Sequence, residues 1–304
     1  MCRTGTQYVE GVVMKHFFVI TNGSKDKNFE SAKKIKTYIE QKGCFCSIAT
    51  DYGQDDTKEY STDIKEIPEN TQCAIILGGD GTMLQAANDL ATTRLPILGV
   101  NLGNLGFLAD IEENHLLSAI DKLIANQFVL EERMLLEGSY LDENGKEKKQ
   151  LALNDIVINK GHYYHLVCVK VYINGKLLDF YIADGVVISS PTGSTGYNLS
   201  AGGPVMLPTM EGIIITPICP HSLNNRSLVV SAKDEIILEI GSVKDEKKDE
   251  GILIIDGMVQ RTMYTGESIC IQKAKENTRF IKVNGANFLE IFRNKLGMGK
   301  DMKL

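Results

Sequence analysis

A glycine-rich turn with one aspartate at its centre holds the residues best suited to phosphate chemistry. It follows a strand-like apolar run, precedes a helical pattern and consists of Gly78, Gly79, Asp80, Gly81 and Thr82. Glycines let backbone N–H groups approach an anion, and the N-terminus of the next helix adds a favourable partial charge. A carboxylate there is electrostatically unfavourable unless it accepts a proton from an attacking hydroxyl or helps to hold Mg²⁺. The alternative is a tight turn in which Asp80 is a helix N-cap.

A second segment, residues 183–204, crowds hydroxyl groups and glycines into the loop after another strand-like run. The six hydroxyl side chains of this loop are Ser189, Ser190, Thr192, Ser194, Thr195 and Ser200. One turn needs far fewer, and hydroxyls suit ribose and phosphate oxygens. We expect residues 198–201 to turn helical. Tyr197 offers a ring for stacking on a base, with packing on the sheet as the alternative.

A third glycine-rich stretch, residues 99–110, has a spacing close to the GxGxxG of dinucleotide-binding turns. It lacks a helix start directly after its strand, which argues against a Rossmann turn. We interpret it as a loop whose backbone lines a crevice at the carboxyl end of the strand.

Five motifs, in this order along the chain, together resemble the NAD kinase family. They are GGDGT at 78–82, GVNLGNLGFLAD at 99–110, LND at 153–155, ADGVVISSPTGSTGYNLSAGGP at 183–204 and ITPICPHSLNNRSLVV at 215–230. GGDGT alone also occurs in related lipid kinases and resembles a motif of phosphofructokinases. Its combination with PTGSTGY is highly specific for the NAD kinase family. The resemblance implies phosphoryl transfer from ATP or polyphosphate to the 2′-hydroxyl of the adenosine ribose of NAD, which produces NADP.

The resemblance also implies a role for each matching residue. Asp80 matches the essential aspartate of the family, and Gly81 lies beside the ligand. Asn154 and Asp155 match a pair that holds the adenosine part of NAD, although Asn154 could also be a plain turn residue. The other residues implied in substrate binding are Gly78, Gly79, Thr82, His165, Asp184, Ser190, Thr192, Thr195, Gly196, Tyr197, Asn198, Ser200 and His221. For His165, a surface position on a strand is an equal alternative.

Three positions depart from the pattern of the family. Gly196 stands where many members have Ala, and Ile182 stands where some carry Arg. Met258 replaces a polar residue found in some relatives. These changes leave the donor and the choice between NAD and NADH open, while the core reaction is kept. No fixed protein ligands for a metal are implied, and Mg²⁺ is expected to arrive with the phosphate donor.

The pattern of apolar residues changes halfway along the chain. The first half alternates strand and helix patterns, which predicts a doubly wound parallel sheet in an α/β domain. One of its helices is predicted over residues 83–92, after the glycine-rich turn. The second half shows short strands separated by turns, such as the Asn-Gly pair at 174–175, which predicts a β-rich domain.

These patterns predict two domains and a C-terminal segment. The α/β domain covers residues 1–130, and the β-rich NAD-binding domain covers residues 131–275. For the last segment, residues 276–304, packing back on the first domain is one option. Residues 1–13 carry no core pattern, so we expect them to be dispensable for folding.

The composition of the chain indicates which partners and which cellular location to expect. A formal net charge of −6 leaves no basic surplus for binding nucleic acid. No run of about 18 apolar residues occurs, and the N-terminus lacks the layout of a signal peptide, so we expect a cytoplasmic protein that does not span a membrane. The seven cysteines lack CxxC spacing, and we expect reduced thiols. Because members of the family assemble as dimers or tetramers, the resemblance implies a homodimer or homotetramer.

Two other functions share parts of this pattern. A lipid or sphingoid kinase has the glycine–aspartate turn, but the PTGSTGY block argues against it. A non-catalytic NAD sensor would bind the dinucleotide without turnover, but a pure binder gains nothing from a carboxylate beside phosphates. Formation of NADP from NAD, ATP and Mg²⁺ separates the three.

Overall fold

The computed structural model describes residues 14–49, 62–103, 106–161, 165–222, 226–242, 249–283 and 288–295. The chain divides into two compact units. Unit 1 consists of Met1–Glu132 and Thr278–Leu304, and unit 2 consists of Arg133–Asn277. The prediction about residues 1–13 lies outside the described residues.

The regular elements are strands and α-helices, each numbered along the chain. The strands are β1 (His16–Thr21), β2 (Phe45–Ile48), β3 (Cys73–Gly78), β4 (Ile97–Asn101), β5 (Ile111–Glu112), β6 (Val129–Leu141), β7 (Glu147–Ala152), β8 (Asp155–Asn159), β9 (Val167–Ile173), β10 (Lys176–Ala183), β11 (Gly185–Ser189), β12 (Gly212–Ile218), β13 (Leu228–Ser231), β14 (Ile236–Ile240), β15 (Glu250–Ile255), β16 (Met258–Tyr264) and β17 (Ser268–Lys282). The α-helices are α1 (Glu30–Gln41), α2 (Asp80–Leu90), α3 (Leu116–Ile124), α4 (Tyr197–Ser200) and α5 (Phe288–Lys295).

Unit 1 is built on a parallel sheet with the strand order β2-β1-β3-β4. The end of β17 joins this sheet beside β4, with Phe280 opposite Ile97. All six residues of β3 are buried, as expected for a central strand that is covered on both faces.

Helices cover both faces of the sheet in unit 1. Leu98 and Val100 of β4 belong to one apolar core together with side chains of α1 and α3. Because neighbouring residues of a strand face opposite sides, Gly99 faces the other side. A Cβ atom at Gly99 would lie 2.9 Å from the sulfur of Met83 in α2, so α2 covers that side. The predicted doubly wound α/β fold is confirmed.

Unit 2 consists mainly of antiparallel strands. One group has the order β10-β9-β14-β17, and a six-stranded sheet has the order β13-β12-β11-β8-β15-β16. Asn174 and Gly175 join β9 to β10 with positive φ angles of 50° and 74°, the conformation that a two-residue hairpin turn requires. The predicted β-rich domain is confirmed. None of the helices within the described ranges has the length and apolar character that a membrane crossing requires.

The helix predicted over residues 83–92 is observed over Asp80–Leu90, so that prediction is wrong at both ends. Helix α2 begins at Asp80, after Gly79 in an extended conformation with φ −107° and ψ −175°. The N–H of Met83 donates to the carbonyl of Gly79 at 3.1 Å, which closes the first helical turn. Glycine is unfavourable in a helix interior, so the glycine-rich sequence did not predict that residues 80–82 are helical. An acidic residue such as Asp80 is favourable at a helix N-terminus.

A buried ion pair holds the C-terminal segment within unit 1. Lys282 Nζ lies 3.4 Å from Asp110 Oδ1, and the two side chains are 10% and 1% exposed. The backbone N–H of Val283 donates to Asp110 Oδ2 at 2.8 Å. Asp110 therefore anchors the chain just after β17 to the loop that follows β4.

Replacing Lys282 by Met should destabilise unit 1 strongly, because it removes the ammonium group that pairs with the buried Asp110 carboxylate. Removing one partner of a buried pair typically costs about 3 kcal/mol or more. We expect the urea midpoint to fall accordingly. The control Lys36→Met breaks an exposed pair with Glu40, whose side chains are 43% and 50% exposed, and should cost less than about 1 kcal/mol. Equal effects of the two variants would contradict a stabilising role of the buried pair.

Candidate active site

The glycine-rich turn lies where β3 ends and α2 begins. Gly78 is the last residue of β3, and a Cβ atom there would lie 2.5 Å from the side chain of Thr82. Gly79 caps the helix, Asp80 is its first residue, and Gly81 is exposed with open space around its Cα. The turn therefore presents the N-terminus of an 11-residue helix at the carboxyl edge of a parallel sheet, where α/β proteins bind phosphates.

The carboxylate of Asp80 is held by two backbone N–H groups. Phe107 N–H donates to Oδ2 at 3.0 Å, and Leu108 N–H donates to Oδ1 at 3.2 Å. A Cβ atom at Gly106 would lie 1.7 Å from Asp80 Oδ1, so the carboxylate occupies the space of the missing side chain. Each carboxylate oxygen keeps a lone pair that can accept a hydroxyl proton or contact a cation.

Sequence reasoning missed Gly106 as a contact of Asp80. Residues 99–110 were interpreted only as a loop that lines a crevice. The glycine at position 106 could have indicated a close approach of another group. The structure also places this loop after β4, directly beside β3, which explains why the two glycine-rich segments meet.

A second missed residue is Lys25, in the loop between β1 and α1. Its Nζ lies 2.6 Å from the position that a Cβ atom of Gly79 would occupy. Lys25 is exposed, and no carboxylate within the described ranges pairs with its ammonium group. Asn22 of the same loop donates to Thr82 Oγ1 at 3.3 Å. An unpaired cation thus lies over the glycine-rich turn, where it would attract phosphate. The available sequence signal was its position in the loop after the first apolar strand, and only the structure places that strand next to β3.

In unit 2, Asp256 shapes the loop that carries Asn154 and Asp155. Its carboxylate accepts three backbone N–H groups, from Leu153 at 2.7 Å, Asn154 at 2.8 Å and Asp155 at 2.9 Å. Asp256 has a positive φ of 47° and is followed by Gly257 in the turn between β15 and β16. Sequence reasoning missed this role, although the Asp-Gly pair is a recognised turn signal.

Asp155 is a buried acid beside this second carboxylate. It is the first residue of β8, is 6% exposed and lies opposite Ser189 of β11. Burial raises the pKa of Asp155 to about 7, and the charge of Asp256 acts in the same direction. Asp155 therefore changes its protonation state near neutral pH.

The loop after β11 packs directly on the Asn154 backbone. Ser190 donates through its Oγ to the Leu153 carbonyl and through its N–H to the Asn154 carbonyl, the latter at 2.8 Å. A Cβ atom at Gly193 would lie 2.1 Å from the Asn154 carbonyl oxygen. The side chain of Asn154 itself is half-buried, near Gly196. The structure thus brings the LND segment and the first half of the PTGSTGY block together.

Several polar side chains of residues 183–204 have hydrogen-bond partners within the chain. Asn198 is fully buried, and its amide donates to the carbonyls of Ser194 and Pro204 and accepts from Thr216 at 2.7 Å. Ser190 and Ser194 are also fully buried and bonded within the chain. Within this structure, Asn198 and Ser190 shape the loop and present no polar group at its surface.

The other predicted residues of unit 2 differ in exposure. Thr192 is buried, and its hydroxyl has no hydrogen-bond partner within the described residues. Thr195 is half-buried, and its hydroxyl donates to the Thr192 carbonyl at 3.4 Å, whereas Ser200 is exposed. The accessible members of the block are therefore found in its second half.

Tyr197 is 40% exposed, at the start of α4. Burial raises its pKa, and the nearby charges of Asp184 and Asp155 act in the same direction. Asp184 itself is paired with Lys160 at 2.7 Å. The phenol therefore lies near both of the predicted carboxylates.

The two predicted histidines are exposed. His165 precedes β9, and His221 follows β12. The backbone N–H of His221 donates to the Ile182 carbonyl at 2.9 Å. Their inclusion in the site remains a prediction. Within the described ranges, no group of three or more His, Cys, Asp or Glu side chains is arranged to hold a metal ion.

Comparison with known protein families covers both units. Residues 10–128 match the model of the ATP-NAD kinase N-terminal domain, and residues 153–283 match that of the ATP-NAD kinase C-terminal domain. The NAD kinase of Lachnoclostridium phytofermentans is 42% identical over 287 residues, which cover 93% of this chain and 99% of that protein. The NAD kinase of Agathobacter rectalis is 40% identical over 288 residues, with the same coverage.

Solved structures show the same fold. The yeast NADH kinase complexed with NADH has a TM-score of 0.84 at 24% identity, covering 98% of this chain and 92% of that one. An NAD kinase from Archaeoglobus fulgidus in complex with ATP has a TM-score of 0.71 at 24% identity, covering 92% and 97%.

Replacing Gly106 by Ala should displace the Asp80 carboxylate, because the new Cβ atom would overlap Oδ1. A misplacement of about 1 Å can cost roughly a hundredfold in rate, so we expect a loss of that size in phosphorylation of NAD by ATP, the reaction that the sequence resemblance implies. The control is Gly103→Ala in the same loop, where a Cβ atom meets nothing closer than 3.9 Å. Equal activity of the two variants would show that the carboxylate position does not matter.

The raised pKa of Asp155 predicts a pH-dependent stability. Its ordinary value is 3.8 and its folded value about 7, so between these values the folded chain binds more protons than the unfolded chain. Stability therefore falls as the pH rises through this window and levels off above it, by about 1.4 kcal/mol per unit of pKa difference. Asp155→Asn removes this loss, so the urea midpoint of the variant should gain on wild type between pH 5 and pH 8. A constant difference over this range would contradict the raised pKa.

Proposed function

Because the chain belongs to the ATP-NAD kinase family and phosphorylates NAD to NADP, we propose that Asp80 receives the proton of the attacking 2′-hydroxyl. The observation that carries this proposal is the pair of N–H bonds from Phe107 and Leu108 to its carboxylate. They fix both oxygens while leaving lone pairs free, so the base needs no reorganisation before the reaction.

The proposed reaction is an in-line displacement at the transferred phosphorus. The 2′-hydroxyl oxygen of the adenosine ribose bonds to phosphorus while its proton passes to Asp80. The bond between phosphorus and the leaving oxygen of the donor breaks. Such transfers depend chiefly on positioning and on neutralising the phosphate charge.

We propose that ATP is the donor and that the glycine-rich turn binds its phosphates. The support lies in the N-terminus of α2 and in the ammonium group of Lys25 over Gly79. A donor of either kind, ATP or polyphosphate, offers the same phosphate chemistry, so the choice is tested by supplying each in turn.

The residues of unit 1 fit a magnesium ion that arrives with the donor. Asp80 keeps free lone pairs beside the phosphate turn, and Mg²⁺ commonly takes one or two carboxylates together with substrate phosphates. When bound, the ion supplies charge neutralisation on the phosphate oxygens. Asp80 would be its protein contact.

In unit 2, we propose that Asn154 and Asp155 hold the adenosine half of NAD. Asp155 in its ionised form accepts hydrogen bonds from ribose hydroxyls, and the Asn154 amide both donates to and accepts from a base edge. Asp256 holds the backbone of both residues in place. Because the pKa of Asp155 is about 7, binding through its ionised form should strengthen as the pH rises through neutrality.

We further propose a cytoplasmic homodimer or homotetramer that binds neither nucleic acid nor membrane. The support is the family resemblance and the net charge of −6. Light scattering during size-exclusion chromatography measures the oligomeric state directly.

Replacing Asp80 by Asn should lower the turnover of NAD phosphorylation at least about a hundredfold, the usual effect of losing a general base. NAD affinity, measured by calorimetry, should change little, because the contacts proposed to hold the adenosine half of NAD are those of Asn154 and Asp155. Asp121→Asn, at a surface position of α3, is the matched control and should keep normal turnover. Near-normal turnover of the Asp80 variant would refute the proton-acceptor role.

A further inference from the structure

The C-terminal helix α5 contacts a residue that holds the catalytic carboxylate. The rings of Phe288 and Phe107 lie 6.0 Å apart between centroids at an angle of 40°. Lys295 Nζ lies 4.6 Å from the centroid of the Phe107 ring. The backbone N–H of this same Phe107 donates to Asp80. Both ends of the eight-residue helix α5 therefore contact the side chain of one N–H donor.

The residues just before α5, Lys282 and Val283, contact Asp110, which follows Phe107 three positions later in the chain. Asp110 accepts from the N–H of Val283 at 2.8 Å and pairs with Lys282. The stretch from Phe107 to Asp110 includes both residues whose N–H groups donate to Asp80, Phe107 and Leu108. The end of β17 and helix α5 thus hold residues 107–110 from two sides.

We propose that helix α5 is a positioning element for Asp80, and that Phe288 and Lys295 orient its carboxylate through Phe107. The proposal rests on the proposed role of Asp80 as proton acceptor. Neither Phe288 nor Lys295 contacts Asp80 itself in the structure, so both are positioning residues.

The geometry of the contacts explains why they orient Phe107. Aromatic pairs and cation–π contacts depend on where the ring lies, and they are lost when it rotates or shifts. Ile291 is the one buried residue of α5 within its described range, and the contacts with the Phe107 ring add to the attachment of this helix. Removing them frees Phe107, and a shift of its N–H shifts the carboxylate that it holds.

The first test compares truncations on the same helix in the full-length chain. Phe288→Ala should lower kcat about tenfold while the KM values for NAD and ATP stay within about twofold. The matched control, Leu289→Ala, removes a side chain that is 56% exposed and should leave kcat unchanged. Unchanged kcat in Phe288→Ala, with normal thermal stability, overturns the proposal.

A second pair of variants covers the case in which Phe288→Ala fails to fold. Lys295 is exposed, so its replacement should be tolerated. Lys295→Met should lower kcat about threefold, and Lys295→Arg should restore it, because a guanidinium group also lies well over an aromatic face. Equal kcat values in both variants would overturn the cation–π part of the proposal.

A double-mutant cycle shows whether Phe288 acts through Asp80. In the Asp80→Asn background, Phe288→Ala should cause no further loss of turnover, because the group that it positions is absent. A full tenfold loss in that background would mean that α5 acts elsewhere and would overturn the proposal.

Amide hydrogen exchange separates failure of this proposal from failure of the proposed function. In Phe288→Ala, the N–H groups of Phe107 and Leu108 should exchange at least about tenfold faster than in wild type, whatever Asp80 does in catalysis. If Asp80→Asn keeps normal turnover but exchange is faster, the proton-acceptor role fails and the structural coupling stands. If exchange at both positions is unchanged, the coupling itself is refuted.

Discussion

The orientation of the Asp80 carboxylate is the contact on which the proposed chemistry of unit 1 depends. Its oxygens accept N–H bonds of 3.0 and 3.2 Å from Phe107 and Leu108, and this approach is possible because residue 106 has no side chain. Helix α2 fixes the backbone of Asp80, and the loop after β4 fixes its carboxylate. The parallel pairing of β3 with β4 brings these two segments together. For the proposed role of Asp80 as proton acceptor, a carboxylate held in this way needs no reorganisation during the reaction.

In unit 2, hydrogen bonds between backbone N–H groups and a carboxylate likewise fix a loop. Asp256 accepts three N–H groups from residues 153–155 and so holds the loop that presents Asn154 and Asp155. The burial of Asp155 next to a second acid has an electrostatic cost, seen in its pKa of about 7. Stability is thus reduced above neutral pH at the position that we propose binds the adenosine half of NAD, and such a cost is common at functional sites.

Charge is balanced differently around the glycine-rich turn. The Asp80 carboxylate would repel the phosphates that we propose bind here, and the opposite charge comes from the N-terminus of α2 and from Lys25 over Gly79. Lys25 reaches the turn because β1 and β3 are neighbouring parallel strands, so the loops after both strands leave the sheet at the same edge. The strand order therefore decides which cation lies over the glycine-rich turn.

Local patterns in the sequence were sufficient for the fold class and for the main motifs. Buried parallel strands such as β3 form continuous apolar runs, and the Asn-Gly pair at 174–175 encodes its own hairpin, because each depends on residues that are neighbours in the chain. The contacts that organise the candidate site join residues far apart in sequence. Phe107 lies 27 positions from Asp80, and Asp256 lies 101 positions from Asp155. Which of these residues meet depends on the order of strands in the sheets, and that order follows from the packing of the whole chain. Packing also decides which side chains are buried. Ser190 and Asn198 were predicted as ligand contacts from their residue types, and in the structure their polar groups have hydrogen-bond partners inside the protein.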